Sequence, residues 1–199
     1  MTNIFNEMAE FSKKHIAPFT ASVDEKAQFP VESFEAIKKE KITGLIVPKE
    51  FGGLGYGLEE HTQTVLAFAS SCATTALCYM MHNVATMCIV AYGSPEMKNE
   101  YLPKIANGEL ILALAFSETG TGTGTHFYQP EISVTKNNDI LLMNGRKSFV
   151  TSALYADFYL VLSTSFDAHG LDNWIIPKTC DGLLFEESSW DGLGMRGNA

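Results

Sequence analysis

The sequence predicts an α+β chain of two domains, an N-terminal all-α helical domain over residues 1–110 and an all-β barrel or sandwich over residues 111–199. Three observations predict it. Apolar residues recur at the three- and four-residue spacing of helices up to about residue 110 and fall into short runs and alternations after it. Turn residues such as Asp167, Gly170, Asp172 and Gly182 punctuate the second part at regular intervals. A chain of 199 residues, 46% hydrophobic and 19% charged, has material for one domain or two small ones and is too apolar for a disordered chain.

In the first part, Ile4, Met8, Phe11 and Ile16 mark one amphipathic helix that ends at Pro18. Val31, Phe34 and Ile37 mark a second, with Pro30 as its first helical residue. Two more run from about Leu58 to Cys72 and from about Thr74 to Tyr92. Ser94-Pro95-Glu96 reads as N-cap, first helical residue and first-turn acid of a short helix that stops before Gly108. In the second part, strands are expected at Ile111–Ser117, Glu131–Thr135 and Ile140–Met143. Asn144-Gly145 favours a hairpin turn from which Arg146–Ser152 returns. Phe158–Ser163, Trp174–Ile176 and Leu183–Glu186 complete the set.

Composition excludes whole classes of function. With 14 basic against 23 acidic residues the net charge is -9, and the only close basic cluster, Lys38, Lys39 and Lys41, is interleaved with Glu35 and Glu40. No basic patch of the kind that binds a phosphate backbone is present, so no nucleic-acid partner is expected. Cys72, Cys78, Cys88 and Cys180 have neither zinc-site spacing nor the density of a disulfide scaffold, and are expected as buried small residues in a reducing cytoplasm. The start, MTNIFNEMAEF, is acidic where a secretory signal is basic, which predicts a cytoplasmic protein. Ala76–Tyr92 is apolar but carries His82 and Asn83, and reads as a buried helix rather than a membrane span, with His82 a satisfied core residue. His15, His61 and His169 form no set with nearby carboxylates, so no metal is expected.

Three segments carry possible chemistry. Leu112–Phe127 joins an apolar strand to the Gly/Thr run of residues 119–125, whose backbone N–H groups and hydroxyls suit a phosphate, although a plain surface loop has the same composition. Met143–Ala153 places Phe149 and Thr151 at i and i+2 of a strand, sharing a face that suits a planar heterocycle or an ordinary half-buried sheet. Val47–Gly57 is a glycine-rich connection between helices.

Taken in order, these segments resemble one family over nearly the whole chain, the FAD-dependent acyl-CoA dehydrogenases. The motif P-x-E-F-G-G-x-G spans Pro48–Gly55, and Y-G-S-x-E-x-K-x-x-Y-L-P-x-[LI]-x-x-G-E spans Tyr92–Glu109. A strand ending in Ser117-Glu118 enters the glycine-rich turn. N-G-x-K-x-[WF]-[IV]-T follows at Asn144–Thr151, then Ala156-Asp157, then L-G-M-R-G at Leu193–Gly197.

The resemblance implies roles. Leu114, Phe116 and Ser117 belong to the strand that runs along the isoalloxazine, with Ser117 in place of a usual Thr. Phe149, Val150 and Thr151 stand where the family places a Trp against the ring and its flanking residues. The family's G-A-G-S-D turn becomes Gly120–Gly124 or, in a shifted register, Gly122–His126, and either way its Asp is lost. Gly122 and Thr123 are thereby implied in cofactor binding, and Thr123 also in contact with substrate. The chemistry implied is flavin-dependent α,β-dehydrogenation of an acyl-CoA thioester to the trans-2-enoyl-CoA, passing electrons to a flavoprotein or other acceptor in a homo-oligomer. The family's base is a Glu of a C-terminal helical domain that these residues do not include, so no catalytic residue is expected here, and the β domain is expected to be incomplete. Glu118 reads as a structural acid that pairs or caps the turn. Two other readings stay open at this point: a flavin monooxygenase of the same fold, and a non-catalytic assembly module that presents Tyr79, Met80, Met81 and Met87 to a partner.

Overall fold

A computed structural model describes residues 4–118, 130–138, 140–165, 170–186 and 192–197. Among these residues six α-helices come first: α1 (Ile4–His15), α2 (Thr20–Glu25), α3 (Val31–Lys39), α4 (Leu58–Ala69), α5 (Ala73–Tyr92) and α6 (Pro95–Ala106). Five strands follow among them: β1 (Leu112–Ala115), β2 (Ser133–Asn137), β3 (Ile140–Asn144), β4 (Phe158–Thr164) and β5 (Leu171–Pro177).

The helices obey their patterns. α1 buries Ile4, Met8 and Ser12 at four-residue spacing, and Pro18 sits in a 3-10 turn, Ala17–Phe19, just beyond it. α2, which no periodic stripe announces, buries only Val23. Pro30 takes the N-cap of α3, one residue earlier than expected. At α4, Glu60 folds back so that its carboxylate accepts the N–H of Gly57 at 3.0 Å. Ser94 caps α6, its hydroxyl accepting the Met97 N–H at 3.3 Å, with Pro95 in the first turn. Gly108 ends that helix at φ +78, where a Cβ would lie 2.8 Å from the Lys38 carbonyl oxygen. Only glycine lets the end of α6 reach α3.

α5 is long and apolar enough to cross a membrane, yet ten of its residues, Tyr79 and His82 among them, are buried by α4, α6 and β1. It is the central helix of the core. Tyr79 is fully buried, its hydroxyl donating to the Ile42 carbonyl at 3.0 Å, so it presents no partner surface; Met80, Met81 and Met87 are half-buried.

The β part departs from the expected barrel. Among the described residues the strands form two sheets with no closed barrel: a three-stranded sheet in the order β1-β4-β5, and the two-stranded β2-β3. β4 runs parallel to β1, with Leu114 beside Leu160, and antiparallel to β5. Tyr159–Ser163 of β4 are buried throughout, as a central strand requires. Ile132, Val150, Tyr159 and Val161 join the residues of the main helical core in one apolar cluster.

The expected hairpin is also displaced. β2 pairs with β3 from Ser133–Asn144 to Asn137–Ile140, so the chain reverses after Asn137, with Asn138 at φ +55. Asn144-Gly145 makes no hairpin turn. Gly145 is needed for another reason: a Cβ there would lie 2.5 Å from Cγ1 of Ile132. Arg146–Ser152 is not a strand, because Phe149 (φ +58) and Ser152 (φ +67) are left-handed and break the two-residue alternation. Leu183–Glu186 forms no strand either. Of the cysteines, Cys72 and Cys78 are buried, Cys88 is half-buried, and Cys180 is exposed, against expectation.

Candidate functional site

The candidate site lies where β1 runs out. The strand carries Leu114, half-buried, and stops at Ala115, two residues before the expected end, so that Phe116, Ser117 and Glu118 continue as irregular backbone. Against it lies the segment 145–151. The Ser148 N–H donates to the Ser117 carbonyl at 2.9 Å, which brings Phe149 within one residue of the tie. Thus Phe116 and Ser117, expected from the strand, and Phe149, expected from a segment some thirty residues later, stand at one junction.

The shared face expected of Phe149 and Thr151 does not exist. The left-handed backbone at Phe149 separates them: Phe149 is 45% exposed, whereas Val150 and Thr151 are buried. Gly122 and Thr123, and with them the register of the Gly/Thr turn, lie outside the described residues.

Beneath the junction is an ion pair. Lys147 Nζ meets Glu118 Oε1, their side chains 7% and 10% exposed, and also donates to the Phe116 carbonyl at 3.2 Å. The carboxylate of Glu118 accepts the backbone N–H of Glu131 on Oε2 and, at 3.4 Å, that of Ile132 on Oε1. Burial pushes the Glu118 carboxyl up, but the Lys147 ammonium and the two N–H groups outweigh it and hold the group below the ordinary carboxylate range. Burial pushes Lys147 below its ordinary range, with Glu118 opposing. A carboxylate so engaged on both oxygens is ionised, a structural acid rather than a free base. The Lys in N-G-x-K was the available signal for its partner, and local pattern reading passed over it.

The helical part grips β1 from behind through His82, which is fully buried on α5. Its Nδ1 lies 3.1 Å from the backbone N of Leu112, and its Nε2 lies 3.1 Å from the Thr43 carbonyl oxygen. A backbone N–H only donates, so Nδ1 is the bare nitrogen and Nε2 carries the proton given to Thr43. Burial pushes the imidazole down to about 4 and keeps it neutral. Asp157 completes the attachment, one carboxylate oxygen accepting the Ile111 N–H at 2.7 Å.

The segment 192–197 returns to the helices. Arg196 pairs with Asp24 of α2 at 2.9 Å, and the Gly197 carbonyl accepts the Ser152 N–H at 2.8 Å. Among the described residues no group of three or more metal-ligating side chains converges.

Known proteins share this arrangement. The family model described as "Acyl-CoA dehydrogenase, N-terminal domain" matches residues 2–109, and "Acyl-CoA dehydrogenase, middle domain" matches residues 113–199. The chain is 27% identical over 187 residues to the cyclohex-1-ene-1-carbonyl-CoA dehydrogenase of Syntrophus aciditrophicus (strain SB), covering 92% of this chain and 45% of that protein. It is 30% identical over 195 residues to the mitochondrial isovaleryl-CoA dehydrogenase of Oryza sativa subsp. japonica, covering 95% and 47%. Its fold matches a chain in a structure of the electron transferring flavoprotein of Acidaminococcus fermentans with a TM-score of 0.85 at 25% identity, covering 98% of this chain and 52% of that one. The butyryl-CoA dehydrogenase of Megasphaera elsdenii matches with a TM-score of 0.76 at 24% identity, covering 92% and 50%. The chain thus spans about half the length of the curated relatives it matches. Since the family's N-terminal and middle models match nearly all of its residues in sequence, the chain belongs to the acyl-CoA dehydrogenase family.

Proposed function

We propose that the junction of Phe116–Ser117 with Phe149 is one wall of an FAD site in an enzyme that dehydrogenates an acyl-CoA thioester to its trans-2-enoyl-CoA. The observation that carries the reading is the 2.9 Å tie between Ser148 and Ser117, which sets an open aromatic beside a half-exposed hydroxyl residue and the end of an apolar strand. The residues present fit a flavin. Phe149 keeps nearly half its surface open although its chain neighbours Val150 and Thr151 are buried, and it sits in a backbone conformation that non-glycine residues avoid. An isoalloxazine needs such a flat apolar wall and hydrogen-bonding hydroxyls at its edge.

Phe149, Leu114 and Phe116 would hold the ring by contact, Ser117 would offer its hydroxyl, and Val150 and Thr151 would support the wall from within; Gly122 and Thr123 are proposed on the family resemblance alone. When bound, FAD supplies a hydride acceptor for the substrate β-carbon while a base removes the α-proton. Glu118 does not serve as that base, because both its oxygens are engaged and its carboxyl is held below the ordinary range. We assign proton removal to a carboxylate of the longer protein that the relatives' lengths imply. An electron acceptor of the flavoprotein type and a homo-oligomeric assembly are proposed on the same footing, the first supported by the likeness to the Acidaminococcus structure, and the closed barrel is proposed for the whole protein only.

The test uses the full-length protein. A yellow preparation whose flavin absorbance is bleached anaerobically by an acyl-CoA supports the reading. A colourless protein that stays inert after FAD is added overturns it. Bleaching only by NAD(P)H or a flavin reductase would favour oxygenase chemistry on the same fold.

A further inference from the structure

We infer that Glu118 and Lys147 are positioning residues, a buried latch that sets Ser117 and Phe149 in register for the ring. The inference rests on the flavin reading and adds to it the pair that builds the wall.

The latch cross-links three pieces of chain that are far apart in sequence. Lys147 holds the Phe116 carbonyl and the Glu118 carboxylate, and Ser148, next to Lys147, holds Ser117. Glu118 in turn holds the N–H groups of Glu131 and Ile132. Glu131 and Ile132 are therefore tied to the end of the β1 segment through one carboxylate.

A buried ion pair is a poor way to gain stability, because desolvation offsets most of the attraction; its best-attested use is to specify geometry. An apolar pair of equal volume would fill this space but bond to none of the backbone groups at 116, 131 and 132. The latch also stands close in sequence to the strained residue. Phe149, at φ +58, lies two positions after Lys147, and a left-handed aromatic persists only where its surroundings over-determine it. A second ion pair one residue away serves as an internal control. Arg146 meets Glu186 with side chains 69% and 72% exposed, a pair that lies on the surface and includes none of Phe116, Ser117 and Glu118.

The test compares the full-length parent with E118Q, K147M, the double variant, K147R and the control R146Q. The readouts are FAD affinity by fluorescence titration, the visible circular dichroism of bound flavin, the flavin reduction potential, and amide hydrogen exchange at Ile132 and Ser148. Groups that orient the ligands of a metal site from behind are typically worth about 10- to 100-fold in affinity or activity, and the same scale is expected of this wall. E118Q and K147M should each weaken FAD binding at least about 10-fold, alter the dichroism and speed exchange at both amides. The double variant should be no worse than the poorer single, K147R should recover most of the affinity, and R146Q should match the parent. Parental affinity and dichroism in E118Q and K147M, even with a lowered melting temperature, would overturn the latch. A parent that binds no FAD removes the flavin reading and the positioning role with it. Exchange then separates the causes: faster exchange in the variants leaves a latch that holds only the fold, and unchanged exchange removes the latch altogether.

Discussion

His82 accepts the backbone N–H of Leu112 on Nδ1 at 3.1 Å, so the first residue of β1 hangs from the central helix of the helical part. The strand that carries Leu114 and leads to Phe116 and Ser117 thus takes its position from an imidazole thirty residues earlier, which is itself held by the Thr43 carbonyl. Replacing His82 by Leu should destabilise the protein by about 2 to 5 kcal/mol, because a buried donor and a buried acceptor both lose their partner. Denaturant unfolding measures it, and a loss under about 1 kcal/mol would show that water takes over both bonds.

The same imidazole should make stability depend on pH in a definite window. Its folded value of about 4 lies below the unfolded value of 6.5, so between these limits the unfolded chain binds the proton and the folded one does not. Stability is therefore complete above about pH 6.5 and falls as pH falls toward 4, by up to about 1.4 kcal/mol per unit. His61, also lowered by burial, adds to the slope in the same direction. Unfolding curves between pH 7 and 4 should show the slope reduced in His82→Leu.

Gly108→Ala should be costly although the residue lies at a helix end. It combines a left-handed φ of +78 with a Cβ that would meet the Lys38 carbonyl oxygen at 2.8 Å. A loss of at least about 2 kcal/mol in a thermal or chemical melt is expected from strain and overlap together; a neutral result would mean that α3 and α6 separate freely.

Ser94→Ala removes the hydroxyl that caps Met97 at the exposed start of α6. The expected loss is about 1 kcal/mol, with Ser94→Asp close to the parent because aspartate caps equally well and faces the positive end of the helix. The comparison of the two midpoints separates capping from packing.

Phe149→Gly sets strain against binding. Glycine adopts φ +58 without penalty, so the protein should stay within about 1 kcal/mol of the parent or gain slightly. Flavin affinity, read by fluorescence titration, should drop about 10-fold with loss of the aromatic wall. A variant that loses stability and keeps affinity would place Phe149 in the core instead of the site.

Local pattern was enough for most of the fold. The helices α1, α3, α4, α5 and α6 were legible from their apolar residues, with a proline at the start of α3 and a cap and proline at the start of α6, whereas α2 has six residues and one buried side chain, too short to show a period. The core strands β1 and β4 were legible as apolar runs. The hairpin was misplaced because two turn signals compete: Asn144-Gly145 has the stronger dipeptide, but packing of Ile132 against Gly145 claims that position, and the reversal falls after Asn137. Segment 146–152 looked like a strand because alternation is visible in a sequence and a positive φ at a phenylalanine is not.

What the sequence determined by itself is the change from helices to strands near residue 110, the buried place of His82 on an apolar helix, and the ordered motifs that mark the family, since all of these rest on neighbours within a few positions. What only the tertiary structure decided is the site: that Ser117 meets Ser148, that Lys147 closes on Glu118, and that Phe149 opens outward while Thr151 turns in. The first two join residues about thirty positions apart, and they exist because burial forces each backbone group and charge at the end of β1 to find a partner wherever the fold brings one.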